Sequence, residues 1–149
     1  MNDQENSPPV GALLRRPAVV VRHVVLRALA ASGFDDVLPA HLGVFQHPGP
    51  DGLRPGVLAA RTRASKQAMN HLLHQLEGAG YLVREGHVSD RRTRIVRLTD
   101  RGWSAMAVMR DAVHSLEHSW AEALGERTYG ELRQALLRLE DVLDDTHQG

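Results

Sequence analysis

No cysteine occurs anywhere in the 149 residues, which excludes a disulfide framework, a thiolate metal cluster, a thiol nucleophile and a cysteine redox sensor. There is also no run approaching the roughly 18 to 20 apolar residues that span a bilayer. Met1–Pro9 has neither the basic start nor the apolar core of a secretion signal. The chain is therefore expected to be soluble and cytoplasmic, with no membrane partner. Lysine is nearly missing, since Lys66 is the single lysine among 18 basic residues; the bias suits forked guanidinium contacts but follows equally from a GC-rich genome. Catalytic motifs are missing as well. There is no G-x-S-x-G, no glycine-rich phosphate loop and no H-E-x-x-H, because Glu117 stands in the wrong place between His114 and His118. The pairs His114 with Glu117 and His41 with Asp35 offer acid–base groups but sit in no nucleophile or phosphate-binding motif. An enzyme is not expected, and no cofactor is required.

What is present is an uneven distribution of charge hidden by a formal net charge of zero. Residues 61–101 carry nine basic side chains against four acidic ones, a net +5, whereas residues 111–149 carry three against nine, a net −6. A basic middle attracts phosphates, and an acidic C-terminal third is better placed away from a polyanion. The length suits one domain, expected over residues 10–149 behind a flexible arm at 1–9, which is polar and ends in Pro8-Pro9.

The periodicities predict a mainly helical chain with one small hairpin. Val10–Ser32 is largely apolar and reads as a helix buried on much of its surface, with Pro17 either kinking it or marking its true start. Short helices are predicted over Pro39–His47 and Pro55–Arg61, separated by the breaker-rich Pro48-Gly49-Pro50-Asp51-Gly52. After Thr62-Arg63-Ala64, Ser65 is placed to N-cap a helix running to about Ala79, with Met69, Leu72, Leu73 and Leu76 as its core face. Tyr81–Arg84 and Thr93–Leu98 read as two strands flanking the basic tip Glu85–Arg92. Two further amphipathic helices follow, from Asp100 to about Leu124 and after Gly125, and their apolar stripes find no obvious partner in so small a domain.

A packed helix preceded by a tight turn and followed by a basic hairpin is the physical description of a winged helix-turn-helix DNA reader. On the outer face of the 65–79 helix, Ser65, Lys66, Gln67, Asn70, His71 and His74 can all donate hydrogen bonds, and Gln67 and Asn70 can pair bidentately with adenine in the major groove. At the hairpin tip, Asp90, Arg91, Arg92 and Arg94 suit a narrow minor groove, where an inserted guanidinium meets the strongest negative potential. The bland alternatives are a solvated helix face and a hairpin made soluble by arginine; the two features standing side by side argue against both.

The segments Leu76-Glu77-Gly78-Ala79-Gly80-Tyr81-Leu82-Val83-Arg84, Asp90-Arg91-Arg92 and Leu98-Thr99-Asp100-Arg101-Gly102, with Pro39–Phe45, Val57–Ala59 and Ser65–Met69 upstream, resemble the signature of the MarR family of bacterial transcription regulators. The resemblance covers roughly residues 10–145. It implies a homodimer in which helices at 10–33 and 103–145 intertwine, with a winged lobe at 36–101 on each subunit reading one half of a pseudo-palindromic operator, as a ligand-responsive repressor does. It also implies that Arg92 enters the minor groove with Asp90 positioning it. His71 departs from the family pattern, so which base it reads stays open.

The resemblance further implies an effector pocket between the dimerisation helices and the DNA lobe, for which His23, His41, Phe45 and His114 are the candidate lining residues. A small organic effector, no effector, and zinc all remain readings. His114 and His118, four apart on one helix face, have a spacing that can chelate a metal, with His23, His41 or His47 completing the site. The alternatives to a ligand-responsive regulator are therefore a zinc-responsive one and a winged-helix protein-interaction module.

Overall fold

The computed structural model describes residues 7–46, 52–86 and 94–146. Helix α1 spans Val10–Ala31, a 3-10 turn Pro39–His41 leads into α2 (Leu42–Phe45), and α3 (Pro55–Thr62) precedes α4 (Lys66–Gly78). Strands β1 (Leu82–Glu85) and β2 (Ile95–Leu98) follow, then α5 (Asp100–Leu124) and α6 (Glu126–Thr146). Two compact units result, residues 1–112 and 113–149, with the division falling inside α5. The arm proposed for residues 1–9 lies mostly outside the described residues, as do His47 and the wing tip at 87–93.

Pro17 does not start the first helix. The helix begins at Val10 behind an extended Pro9 and runs through Pro17. The expected burial of α1 is also corrected, for only Val25 and Leu29 are buried, while Val10 and Leu13 are more than half exposed. Among the described residues of α1, those from Val10 to Val19 are all exposed except the half-buried Leu14. The predicted Pro39–His47 helix resolves into a 3-10 turn, Pro39–His41, plus a single α-turn, Leu42–Phe45.

The core of the first unit gathers Val44, Phe45, Leu58, Met69, Leu73, Leu76, Tyr81, Leu82 and Val96, each at most 1% exposed. Tyr81, read from sequence as the first strand residue, is instead a hub. Its ring packs edge-on against Phe45 at 5.8 Å between centroids and tilted against Phe34 at 6.1 Å. Its hydroxyl donates to Asp36 and is approached by Arg101, whose guanidinium also lies 4.6 Å from the ring centroid. Burial first, and then the hydrogen bond to Asp36, push the phenol up to about 12, so it remains a neutral donor.

The hairpin is antiparallel, with Leu82 opposite Leu98 and Glu85 opposite Ile95. Leu53 adds an isolated bridge to Val96 on the other side of β2, donating and accepting one backbone hydrogen bond each way. The sequence reading missed this third pairing because a single residue just after the breaker-rich segment leaves no periodic trace. Gly52 is what allows it: at φ +77 it sits where a Cβ would overlap the Val96 carbonyl oxygen.

Candidate nucleic-acid interface

The turn between α3 and α4 is built from Arg63, the one described non-glycine residue with a positive φ (54°), and Ser65. The Ser65 hydroxyl accepts a hydrogen bond from the Ala68 amide at 3.1 Å, so α4 starts with a satisfied cap, as its sequence predicted. Met69, Leu73 and Leu76 are buried beneath α4. Ser65, Lys66, Gln67, Asn70, His71 and His74 are all exposed, with Gln67, His71 and His74 directly opposite the buried stripe at helical spacing.

Two contacts lock this helix to its surroundings. At its C-terminal end Glu77 accepts from Arg84 of β1, with the guanidinium Nη2 at 2.7 Å and Nε at 3.0 Å, and also from the Arg84 amide. The Arg84 hydrogen bonds hold the Glu77 carboxyl below its ordinary value of 4.5, against the opposing effect of burial. At its middle, Gln75 meets the buried His41 at 2.9 Å and the exposed His71 at 3.2 Å. Gln75 did not stand out in the sequence, and Glu77 did so only as part of the Leu76–Arg84 signature; the signals for their contacts were the i, i+4 spacing of His71 and Gln75 and the seven-residue reach from Glu77 to Arg84.

The wing is anchored at its base by the signature Leu98-Thr99-Asp100-Arg101-Gly102. The Thr99 amide donates to the Tyr81 carbonyl oxygen, and its hydroxyl donates to Gly80 and accepts from the Gly102 amide, which caps α5. Arg101 pairs with Asp36 at 3.3 Å.

The structure thus redistributes the basic middle. Arg84, Arg97 and Arg101 are paired with Glu77, Glu85 and Asp36, whereas Arg61, Arg63, Lys66 and Arg94 have no ion pair among the described residues. These four bracket the α3–α4 turn and the rising strand of the wing. Asp90, Arg91 and Arg92 lie outside the described residues; Arg94 is described and half-buried at the foot of β2.

The candidate effector residues are not brought together within either unit. His41 is 3% exposed, and both of its ring nitrogens are engaged inside the lobe, Nδ1 by the Leu38 amide and Nε2 by Gln75 rather than by Asp35. Phe45 is core, 1% exposed against Tyr81. His23 on α1 is exposed. In the second unit His114 and His118 are exposed on α5, and His118 faces Glu122 at 3.5 Å. Among the described residues no group of three or more His, Asp or Glu side chains converges as a metal site would require.

A capped helix carrying outward donors, a preceding helix set by a tight turn, and a hairpin wing pinned to the capped helix define a winged helix-turn-helix protein. Comparison with known proteins narrows the class. A family model described as MarR family matches residues 42–93. The helix-turn-helix transcriptional repressor Rv2887 of Mycobacterium tuberculosis is 33% identical over 137 residues, which cover 92% of this chain and 95% of its own. The crystal structure of that MarR family protein with salicylic acid superposes with a TM-score of 0.65 at 27% identity, covering 91% of this chain and 98% of that one. A structure of the same protein with DNA gives 0.65 and 27% over 89% and 98%. The transcriptional regulator PA3341 shares the fold, with a TM-score of 0.72 at 23% identity over 92% and 99%.

The chain belongs to the MarR family of helix-turn-helix transcription regulators. It is accordingly a regulator and not an enzyme.

Proposed function

We propose that this chain is a cytoplasmic, ligand-responsive repressor that binds a pseudo-palindromic double-stranded operator as a homodimer, with α4 in the major groove and the wing in the adjacent minor groove. The observation that carries the reading is the exposed row of donors on α4, from Ser65 to His74, on a helix whose opposite face and both ends are held. Such a helix presents base-reading side chains with little freedom to lose on binding. Arg61, Arg63, Lys66 and Arg94 supply phosphate contacts around it, and Arg92 with Asp90 and Arg91 extends the wing into the minor groove.

The second copy is supported by α6, where Leu132, Leu136 and Leu137 are 43%, 36% and 49% exposed in the single chain, an apolar face that a second copy would cover. The effector is proposed to be a small organic acid, on the strength of the relative solved with salicylic acid. His23 and His114 are the exposed candidates to meet it.

The test is fluorescence anisotropy of the purified chain on the DNA upstream of its own gene, against a shuffled fragment, at near-physiological salt. A saturable complex of two subunits per site that releases on adding salicylate supports the reading. Gln67→Ala or Asn70→Ala is expected to narrow the gap between operator and random DNA by about 1 to 3 kcal/mol per half-site. A uniform loss on both DNAs would remove these residues from base reading.

A further inference from the structure

The histidine at position 71 is held by a chain of hydrogen bonds whose direction is set from the protein interior. The chain begins at a group with no ambiguity, the Leu38 backbone amide, which donates to His41 Nδ1 at 3.0 Å. A backbone N–H can only donate, so His41 Nδ1 carries no proton and the neutral ring bears its hydrogen on Nε2. That N–H points at Gln75, 2.9 Å away. Gln75 must then turn its carbonyl oxygen toward His41, because the flipped amide would set two donors against each other at a ring only 3% exposed. With its oxygen committed, Gln75 offers its NH2 to His71 Nε2 at 3.2 Å. His71 Nε2 accepts, which leaves the proton of the neutral ring on Nδ1.

We propose that His71 is a specificity-determining residue held in one orientation and one tautomer by Gln75 and His41, so that it presents a lone Nδ1–H donor to the major groove. The proposal rests on the DNA-binding reading above and adds what that reading leaves open. A ring that can only donate suits a base edge made of acceptors. Guanine, with N7 and O6, fits; thymine O4 and adenine N7 offer one acceptor each, while the exocyclic amino groups of adenine and cytosine repel it. Gln75 and His41 are positioning residues in this scheme and touch no base. Free histidine in water favours the Nε2–H tautomer, so the relay reverses the intrinsic preference and leaves a mark that can be read without DNA.

The experiment has a spectroscopic arm and a binding arm. Long-range proton–nitrogen correlation spectra of the full 15N-labelled chain, at mildly alkaline pH where imidazoles are neutral, report which nitrogen of each ring is protonated. The His71 signals are assigned by their loss in His71→Asn. The expected result is Nδ1–H for His71 in the natural chain and a return to mainly Nε2–H in Gln75→Leu. In the binding arm, an operator series substituted one base pair at a time is titrated with the natural chain, His71→Ala, Gln75→Leu and the double variant. His71→Ala is expected to flatten the preference at a single guanine-bearing position per half-site by about two- to tenfold, the weight of one hydrogen bond. Gln75→Leu should flatten the same position, and the double variant should lose no more than His71→Ala alone.

An Nε2–H His71 in the natural chain overturns the proposal, and that measurement depends on no variant folding. Losses that add in the double variant, or that spread evenly over all positions, overturn it as well. Operator discrimination unaffected by His71→Ala would sink this inference and leave the DNA reading standing. A natural chain with no sequence preference at all would overturn both.

Discussion

A methyl group at position 102 would have nowhere to go. Gly102 lies in the first turn of α5, where a Cβ would overlap the Tyr81 carbonyl oxygen and stand 3.1 Å from Leu98 Cβ. That carbonyl is fixed, since it accepts from the Thr99 amide, so the strand-to-helix corner cannot relax. Gly102→Ala is therefore expected to destabilise the chain by about 1 to 3 kcal/mol in urea unfolding, as overpacking does. Gly78→Ala serves as the contrast, because nothing stands within 4 Å of its would-be Cβ; it should leave stability unchanged or raise it by up to about 1 kcal/mol. The glycine at 102 was visible in the sequence as part of a signature. Its reason was not, because the atom that forbids a side chain comes from a residue 21 positions away. The same holds for His41, which looks like a candidate ligand residue in sequence and is in the fold a buried ring with both nitrogens satisfied.

Among the elements, the joint between α4 and β1 is ionic, made by Glu77 and Arg84. Because Arg84 lowers the Glu77 pKa in the folded chain, the pair contributes its stabilisation fully above the ordinary carboxylate value and loses it as pH falls through the lowered one. Glu77→Gln is expected to cost roughly 0.5 to 1 kcal/mol at neutral pH, a figure kept small because the Glu77 side chain is 36% exposed. The gap between the two proteins should begin to narrow as pH falls past about 4.5 and close only below the lowered folded-state value. A gap constant with pH would show that the amide hydrogen bond from Arg84, rather than charge, holds the joint. Helix periods, the Ser65 cap and the hairpin were legible because each depends on neighbours a few residues apart. The Leu53 bridge was not, because a single backbone pair leaves no periodic trace.

For the whole molecule, the exposed leucines of α6 set the expectation. Leu136→Glu is expected to give a monomer in sedimentation at micromolar concentration and to reduce operator affinity at least tenfold, since each lobe would then bind a half-site alone. Unchanged sedimentation would place the subunit contact elsewhere. The acidic balance of residues 111–149 makes this segment less suited to a polyanion than the basic middle at 61–101.

Composition and local pattern by themselves determined the class of this protein. The absence of cysteine, the apolar periods, the cap at Ser65, the basic hairpin and the signature from Leu76 to Gly102 each depend on residue identity or short spacing, and short-range physics is written directly in sequence. Only the tertiary structure decided which basic side chains are held in ion pairs, which histidine is structural, and which partner the ring at position 71 meets within the chain. Those outcomes depend on partners brought together from distant positions, Asp36 with Arg101 and His41 with Gln75. A hydrogen bond acquires a direction only when the group at its far end is known.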